Sequence, residues 1–328
     1  LNELEPKKQF NLFSFHRDGK GVNPEDVVTD TNLKGFFYRY RTSFGKLLSV
    51  NIIMVLGNIF LLFLVLTLAG YTKVPFLRPL YDVYGIQHSM SLLSPPTAAD
   101  LALGALNGAL VNDMANTPLT YVFYALSALT LFTFGLVNAG CAYLLRNIAT
   151  GEPVFPVSDF FYAVKRNWKQ ALPLGILDLA ILCLIPYNLY TTFLHMGGFF
   201  QNMLFWLMVV IALVYFFMRF YLYLQMVTFD LTWTKILKNS LIFSILGAKR
   251  NLLAFIGILL LVALNFLFLF GLGGLLLPLA VAFPLLFLFS HASFMSTYAA
   301  YYKIKEFMID ESPVEPPPID ETEPAQES

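Results

Sequence analysis

The sequence predicts an all-α membrane protein: six transmembrane helices, with amphipathic helices lying along the cytoplasmic interface. Three observations carry that expectation. Of 328 residues, 57% are hydrophobic and 13% charged, about half the charged share of a soluble domain. The apolar residues gather in runs of about 20, the length a helix needs to cross a hydrocarbon core. Lys and Arg gather between alternate runs, the asymmetry that orients helices in a bilayer. Formal net charge is zero, so no global basic field recruits nucleic acid. The partner that composition names is the lipid bilayer.

Residues 1–46 are expected to form a cytoplasmic segment, polar at first and ending in an amphipathic helix. Phe36, Phe37, Tyr40, Phe44 and Leu47 fall at spacings of three and four. They make one apolar stripe, with Lys34, Arg39, Arg41 and Lys46 beside it, the pattern of a helix lying in a membrane surface. A polar stretch this long ahead of the first apolar run does not fit a cleavable signal.

The membrane domain is expected over residues 47–302. Its first span covers residues 47–68 and closes at Gly70 and Pro75. Residues 71–117 make the one long outer loop. There Pro95-Pro96 stops the chain and Thr97 can cap a short helix over residues 98–111. A lid, a docking element and a loop packed on the bundle all fit this composition, the last best. The second span covers residues 119–145, with Gly135 and Gly140 permitting close helix approach. A Gly-Glu-Pro turn at 151–153 then leads to an amphipathic helix over 158–170 and a third span over 172–194. Pro173 would sit in that span's first turn, and Pro186 would kink it. The fourth span covers 203–226. A second amphipathic stretch, 231–250, enters the fifth span at 252–270. The sixth covers 275–299 and contains Pro278 and Pro284, tolerated where neighbouring helices satisfy freed carbonyls. Residues 303–328 form an acidic, Pro-rich cytoplasmic tail expected to be disordered.

Cations fix the orientation. Arg39, Arg146, Lys165, Lys235, Lys249 and Lys303 fall on one side, against Lys73 and Arg78 on the other. Both termini are therefore expected in the cytoplasm. The segment KRNWKQALPLGILDLAIL from Lys165 is echoed by KRNLLAFIGILLLVAL from Lys249, and more loosely by RTSFGKLLSVNIIMVL from Arg41. Three copies of one unit follow: interfacial helix, span out, span back.

Chemistry-bearing residues are sparse. Asp178 lies one to two turns into the third span and Arg219 about two turns from the end of the fourth, at similar depth in antiparallel neighbours. An unpaired charge there costs at least about 2.5–3.5 kcal/mol, so the two are expected to pair across the interface. His291, near Ser290, Ser293 and Ser296, has no carboxylate neighbour in sequence and is expected to pack. Tyr215, Asn188, Gln225 and Asn265 are expected to bond between helices. Cys141 and Cys183 fall in apolar spans as small buried hydrophobes. Neither a phosphate-binding Gly-rich loop, nor HExxH, nor Gly-x-Ser-x-Gly occurs. The expectation is therefore a non-enzyme with no catalytic residue, metal or cofactor. The interfacial helices offer Phe160, Phe161, Lys165, Arg166, Trp168, Lys169 and Trp233 as a docking face.

Three segments carry a family resemblance: NLFSFHRDGKGVNPED, GFFYRYRTSFGKLLSVNII, and the run from Thr117 to Gln170. They resemble the YesL family of bacterial multi-pass membrane proteins, whose function is unknown. The likeness is most specific from Thr133 to Gln170. This chain lacks the Gly-Pro-Ala pattern common in that family near Val137, and its outer loop is longer than in short members. The resemblance implies a bacterial cell-membrane protein often encoded near carbohydrate-uptake genes, and no reaction or ligand. The leading expectation is an accessory or scaffold component of a carbohydrate-uptake system, with ABC transporter components or another copy of the chain as partners. The alternative is a small-molecule, sugar-type transporter with a path between spans three and four.

Overall fold

The computed structural model describes residues 32–75 and 114–310, with 95, 97–99 and 102 between them. The polar segment before residue 32, nearly all of the helix expected over 98–111, and the tail from residue 311 lie outside the described residues.

Residues up to Thr42 form one unit and Ser43 onward a second. In the first, α1 (Leu33–Thr42) starts where the Asn32 side chain accepts from the backbone N–H of Lys34 and Gly35, an N-cap. Phe36 stacks on Tyr40 at 5.8 Å. The helix ends at Thr42, so the expected stripe from Phe36 to Leu47 is divided rather than carried on one helix.

The second unit is a helical bundle. Four stretches are long and apolar enough to cross a membrane: α6 (Pro156–Leu194), α7 (Phe199–Thr228), α9 (Ala248–Phe270) and the run Leu277–Ile309. Two bent pairs are apolar enough when joined. The first is α2 (Phe44–Gly57) with α3 (Ile59–Leu68), bent by 53°; the second is α4 (Pro118–Ala128) with α5 (Thr130–Thr150), bent by 41°. The protein thus has four to six candidate crossings.

A small ribbon that the sequence reading did not foresee joins α3 to α4. β1 (Lys73–Pro75) pairs antiparallel with β2 (Met114–Asn116). Beside it, Thr117 caps α4 reciprocally with Thr120, and Pro118 takes the first helical position. Both hydroxyls also donate to the Thr72 carbonyl, at 2.6 and 2.8 Å.

Helix α5 ends at Gly151, whose φ of 85° permits the Glu152 N–H to reach back to the Asn147 carbonyl at 2.9 Å. The expected surface helix and third span then prove to be one continuous helix, α6, of 39 residues. At 1.5 Å per residue it is about 58 Å long, far more than the ~30 Å hydrocarbon core. Its basic first part therefore extends past the apolar slab or runs obliquely. Pro173 lies in the helix interior, not in a first turn. A proline forfeits one helical hydrogen bond, and in a membrane bundle that loss does not end the helix.

Close packing fixes α6 on α5. A Cβ at Gly135 would overlap the Ala171 carbonyl, and one at Gly175 would overlap the Gly135 backbone. The two backbones touch because neither residue has a side chain. Helix α7 lies at the centre. One face joins Ala139, Ala171, Leu174 and Ile236 in a core, and the other joins Phe243, Ala254, Ala300 and Ile304. Arg146 donates to the Val227 carbonyl at 3.0 Å, closing the last turn of α7.

Helix α8 (Trp233–Leu246) breaks at Gly247 before α9. The final candidate crossing is α10 (Leu277–Phe283), a π turn at Pro284–Leu288, α11 (Phe289–Ile304) and a closing π turn at Lys305–Ile309. The first widened turn needs outside partners, and Asn51 of α2 supplies them. Its amide donates to the Pro284 and Leu285 carbonyls at 3.0 and 2.9 Å, and its oxygen accepts from the Ser290 N–H at 2.9 Å.

Candidate functional site

An aspartate inside a span must be satisfied, and α7 presents three donors at a spacing of four: Tyr215, Arg219 and Tyr223. Four residues advance a helix by slightly more than one turn, so the three lie on one face. Asp178 of α6 faces that stripe. Tyr215 donates to its Oδ1 at 2.7 Å and Tyr223 to its Oδ2 at 2.8 Å. Arg219 Nε donates to the pair of oxygens at 2.9 and 3.2 Å. The Asp178 side chain is fully buried, whereas that of Arg219 remains 29% exposed. Phe134 of α5 lies 5.9 Å from the guanidinium carbon, within cation–π range.

Arg219 has a second surface. It lines a half-open cavity of about 180 Å³ with walls from α2, α5, α7, α9 and α11. The polar lining comprises Arg219, Tyr223, Asn138, Ser293, Ser296 and Thr297. Apolar walls come from Phe216 and Ile258, among others. No residue of α6 lines it, so the cavity is not between α6 and α7, where a path was expected. Asp178 holds Arg219 from the α6 side, and the cavity opens against it from the other helices.

The remaining expected residues are dispersed. His291 Nδ1 lies 2.6 Å from the Phe287 carbonyl, and its ring stacks on Phe287 with centroids 3.4 Å apart. Asn188 bonds the Leu184 carbonyl of its own helix rather than a neighbour. Gln225 and Asn265 have side-chain atoms that are buried with no partner among the described residues. Of the four residues expected to bond between helices, Tyr215 alone does so here. Cys141 is buried, but Cys183 is exposed on the bundle surface. Phe161, Lys165, Arg166, Trp168 and Lys169 are exposed along α6, while Phe160 is half-buried beside Gly140. Trp233 is exposed on α8, a different helix. Among the described residues no three His, Cys, Asp or Glu side chains group as a metal site.

Sequence reasoning missed Tyr223, Asn51, and the contact in which Tyr221 donates to Asn251 at 2.8 Å. Tyr223 was readable, because two tyrosines flank Arg219 symmetrically. Asn51 was not, because its partners lie over two hundred residues away.

Residues 114–189 match the family model of DUF624, described as a protein of unknown function. The matched part is less than half of the chain. It runs from β2 into α6, includes Asp178 and ends before Arg219. No curated protein matches the chain, and no solved structure does.

Proposed function

We propose that this chain is a six-span bacterial cell-membrane protein that binds a small polar solute within the membrane and passes it along a path beside Arg219. The observation that carries the reading is the cavity between five helices, lined by Arg219, Asn138, Ser293, Ser296 and Thr297. Polar groups at that depth are costly, and convergent polar groups in a largely apolar concavity are the mark of a binding site. The reading takes each bent pair as a single crossing, and three units of surface helix and hairpin as the plan. The reading has both termini in the cytoplasm, which the distribution of Lys and Arg supports. No reaction is assigned, and the likeness to YesL-type proteins supports the bacterial setting.

Transport into proteoliposomes tests this. A panel of radiolabelled monosaccharides and short-chain acids should include one whose uptake exceeds that of empty vesicles. Ser293→Leu, which fills the cavity, should abolish that uptake without unfolding the protein. Uptake equal to empty vesicles across the panel would remove the reading.

A second reading rests on a different observation. Phe161, Trp168 and Lys169 are exposed together on the first part of α6, which supports an accessory role with this face as the docking surface. A carbohydrate-uptake permease recovered stoichiometrically in mild detergent, and lost on Trp168→Ala with Phe161→Ala, is the result expected from it.

A further inference from the structure

We infer that the solute taken by the cavity is a small carboxylate, held end-on by the guanidinium of Arg219. This rests on the solute-binding reading above. An arginine carries five N–H donors in a planar fork. Arg219 gives one, on Nε, to Asp178. The four on Nη1 and Nη2 meet no acceptor among the described residues, in a side chain that also lines the cavity. Asp178 is not free to swing toward them, because Tyr215 holds Oδ1 and Tyr223 holds Oδ2. The fork is therefore fixed in orientation with its outer edge unengaged.

A carboxylate is the planar, two-oxygen group that meets such an edge with two parallel hydrogen bonds. Asp178 cancels the charge of Arg219, so an arriving anion meets an oriented fork rather than a net positive field. Discrimination against a neutral solute of the same shape comes from those two bonds. The rest of the lining suits a short hydroxylated chain. Asn138 donates its amide to the Phe134 carbonyl and keeps its oxygen available. Ser296 donates to the Ser293 carbonyl and keeps its lone pairs. A half-open cavity of about 180 Å³ is of a size to take a short-chain acid.

The probes are lactate and propane-1,2-diol, which share a three-carbon skeleton and differ in the carboxylate. Thermal unfolding of the full chain is followed in phosphatidylcholine nanodiscs at constant ionic strength, with chloride as the control anion. Lactate should raise the midpoint saturably and the diol far less. Asp178→Asn combined with Arg219→Gln removes both charges together, so neither is left unpaired, and removes the fork. It should weaken lactate at least tenfold and leave the diol unchanged. If that variant does not fold, Arg219→Lys keeps the charge and loses the fork, and the same tenfold loss is expected. Undiminished lactate affinity in either folded variant overturns the inference. A diol that binds as well as lactate overturns it while leaving the solute-binding reading standing. Silence from both probes, with Ser293→Leu changing nothing, overturns both. Stabilisation by phosphatidylglycerol alone, with lactate silent, overturns it by giving the fork to a lipid phosphate.

Discussion

Two segments of this bundle begin with the same Lys-Arg-Asn triplet and fold differently. From Lys165 the chain continues as one unbroken helix, α6. Before Lys249 it breaks at Gly247, so α8 and α9 are separate. The asparagines show why. Asn167 donates to the Ala163 carbonyl of its own helix and stands half-exposed. Asn251 is fully buried; it accepts from Tyr221 at 2.8 Å and donates to the Ser244 carbonyl at 3.0 Å, on the far side of the break. Four residues before each asparagine stand Ala163 and Gly247. A Cβ at Gly247 would overlap the Tyr221 hydroxyl and stand 2.9 Å from the Phe243 carbonyl. The shared triplet precedes the apolar run in both segments. At the second triplet the helix breaks where one side chain is missing and α7 presents the Tyr221 hydroxyl opposite it.

Both segments are anchored on α7, and the anchors differ in kind. Helix α6 is held eleven residues beyond its asparagine by a charged carboxylate with three donors. At α8 and α9 the anchor is a neutral amide at the break itself. If that contrast is right, Asp178→Ala is the most damaging change. It strands a guanidinium and two phenols, at about 3–5 kcal/mol, measurable by reversible unfolding in mixed micelles. A loss under about 1 kcal/mol would break the comparison. A double-mutant cycle of Asp178→Asn and Arg219→Gln sharpens it, because independent losses that simply add would mean the pair is not coupled.

Next in size come Gly247→Ala and Asn251→Ala. The first forces a methyl into the Tyr221 hydroxyl and should cost about 1–3 kcal/mol. The second leaves that buried hydroxyl without its acceptor, with a similar cost. Ala163→Gly, the reverse change at the matching buried position of α6, should cost about 1–2 kcal/mol, from helix propensity and the lost buried methyl. Least of all, Asn167→Ala should fall within ~0.5 kcal/mol. An Asn167→Ala effect as large as that of Asn251→Ala would mean that the triplet, not its surroundings, carries the structure.

These cases also show what the sequence discloses. The apolar runs and the proximity of Asp178 to Arg219 were legible, because hydrocarbon length and the cost of a lone charge are one-dimensional constraints. The continuity of α6 was not, because Pro173 reads as a boundary by local rules and its neighbours settle otherwise. The bend at Asn58 was missed although Gly57 precedes it. Val137 packs so closely on Gly57 that a Cβ would stand 2.6 Å away, a contact between distant segments. The cavity was illegible for the same reason: its polar groups come from α5, α7 and α11, and only the folded bundle gathers them.

The ribbon of β1 and β2, with the threonine clasp on Thr72, also governs what happens outside the bundle. It sets the point where the chain leaves α3 beside the point where it returns to α4. Pro75 and Met114 are thereby held as paired neighbours. Closing such an excursion costs more only as the logarithm of its length. A change in the length of chain between the two ends therefore adds little to the entropy of bringing them together. The ribbon is a port at which evolution, or an engineer, can change the chain between these two ends without moving the ends themselves.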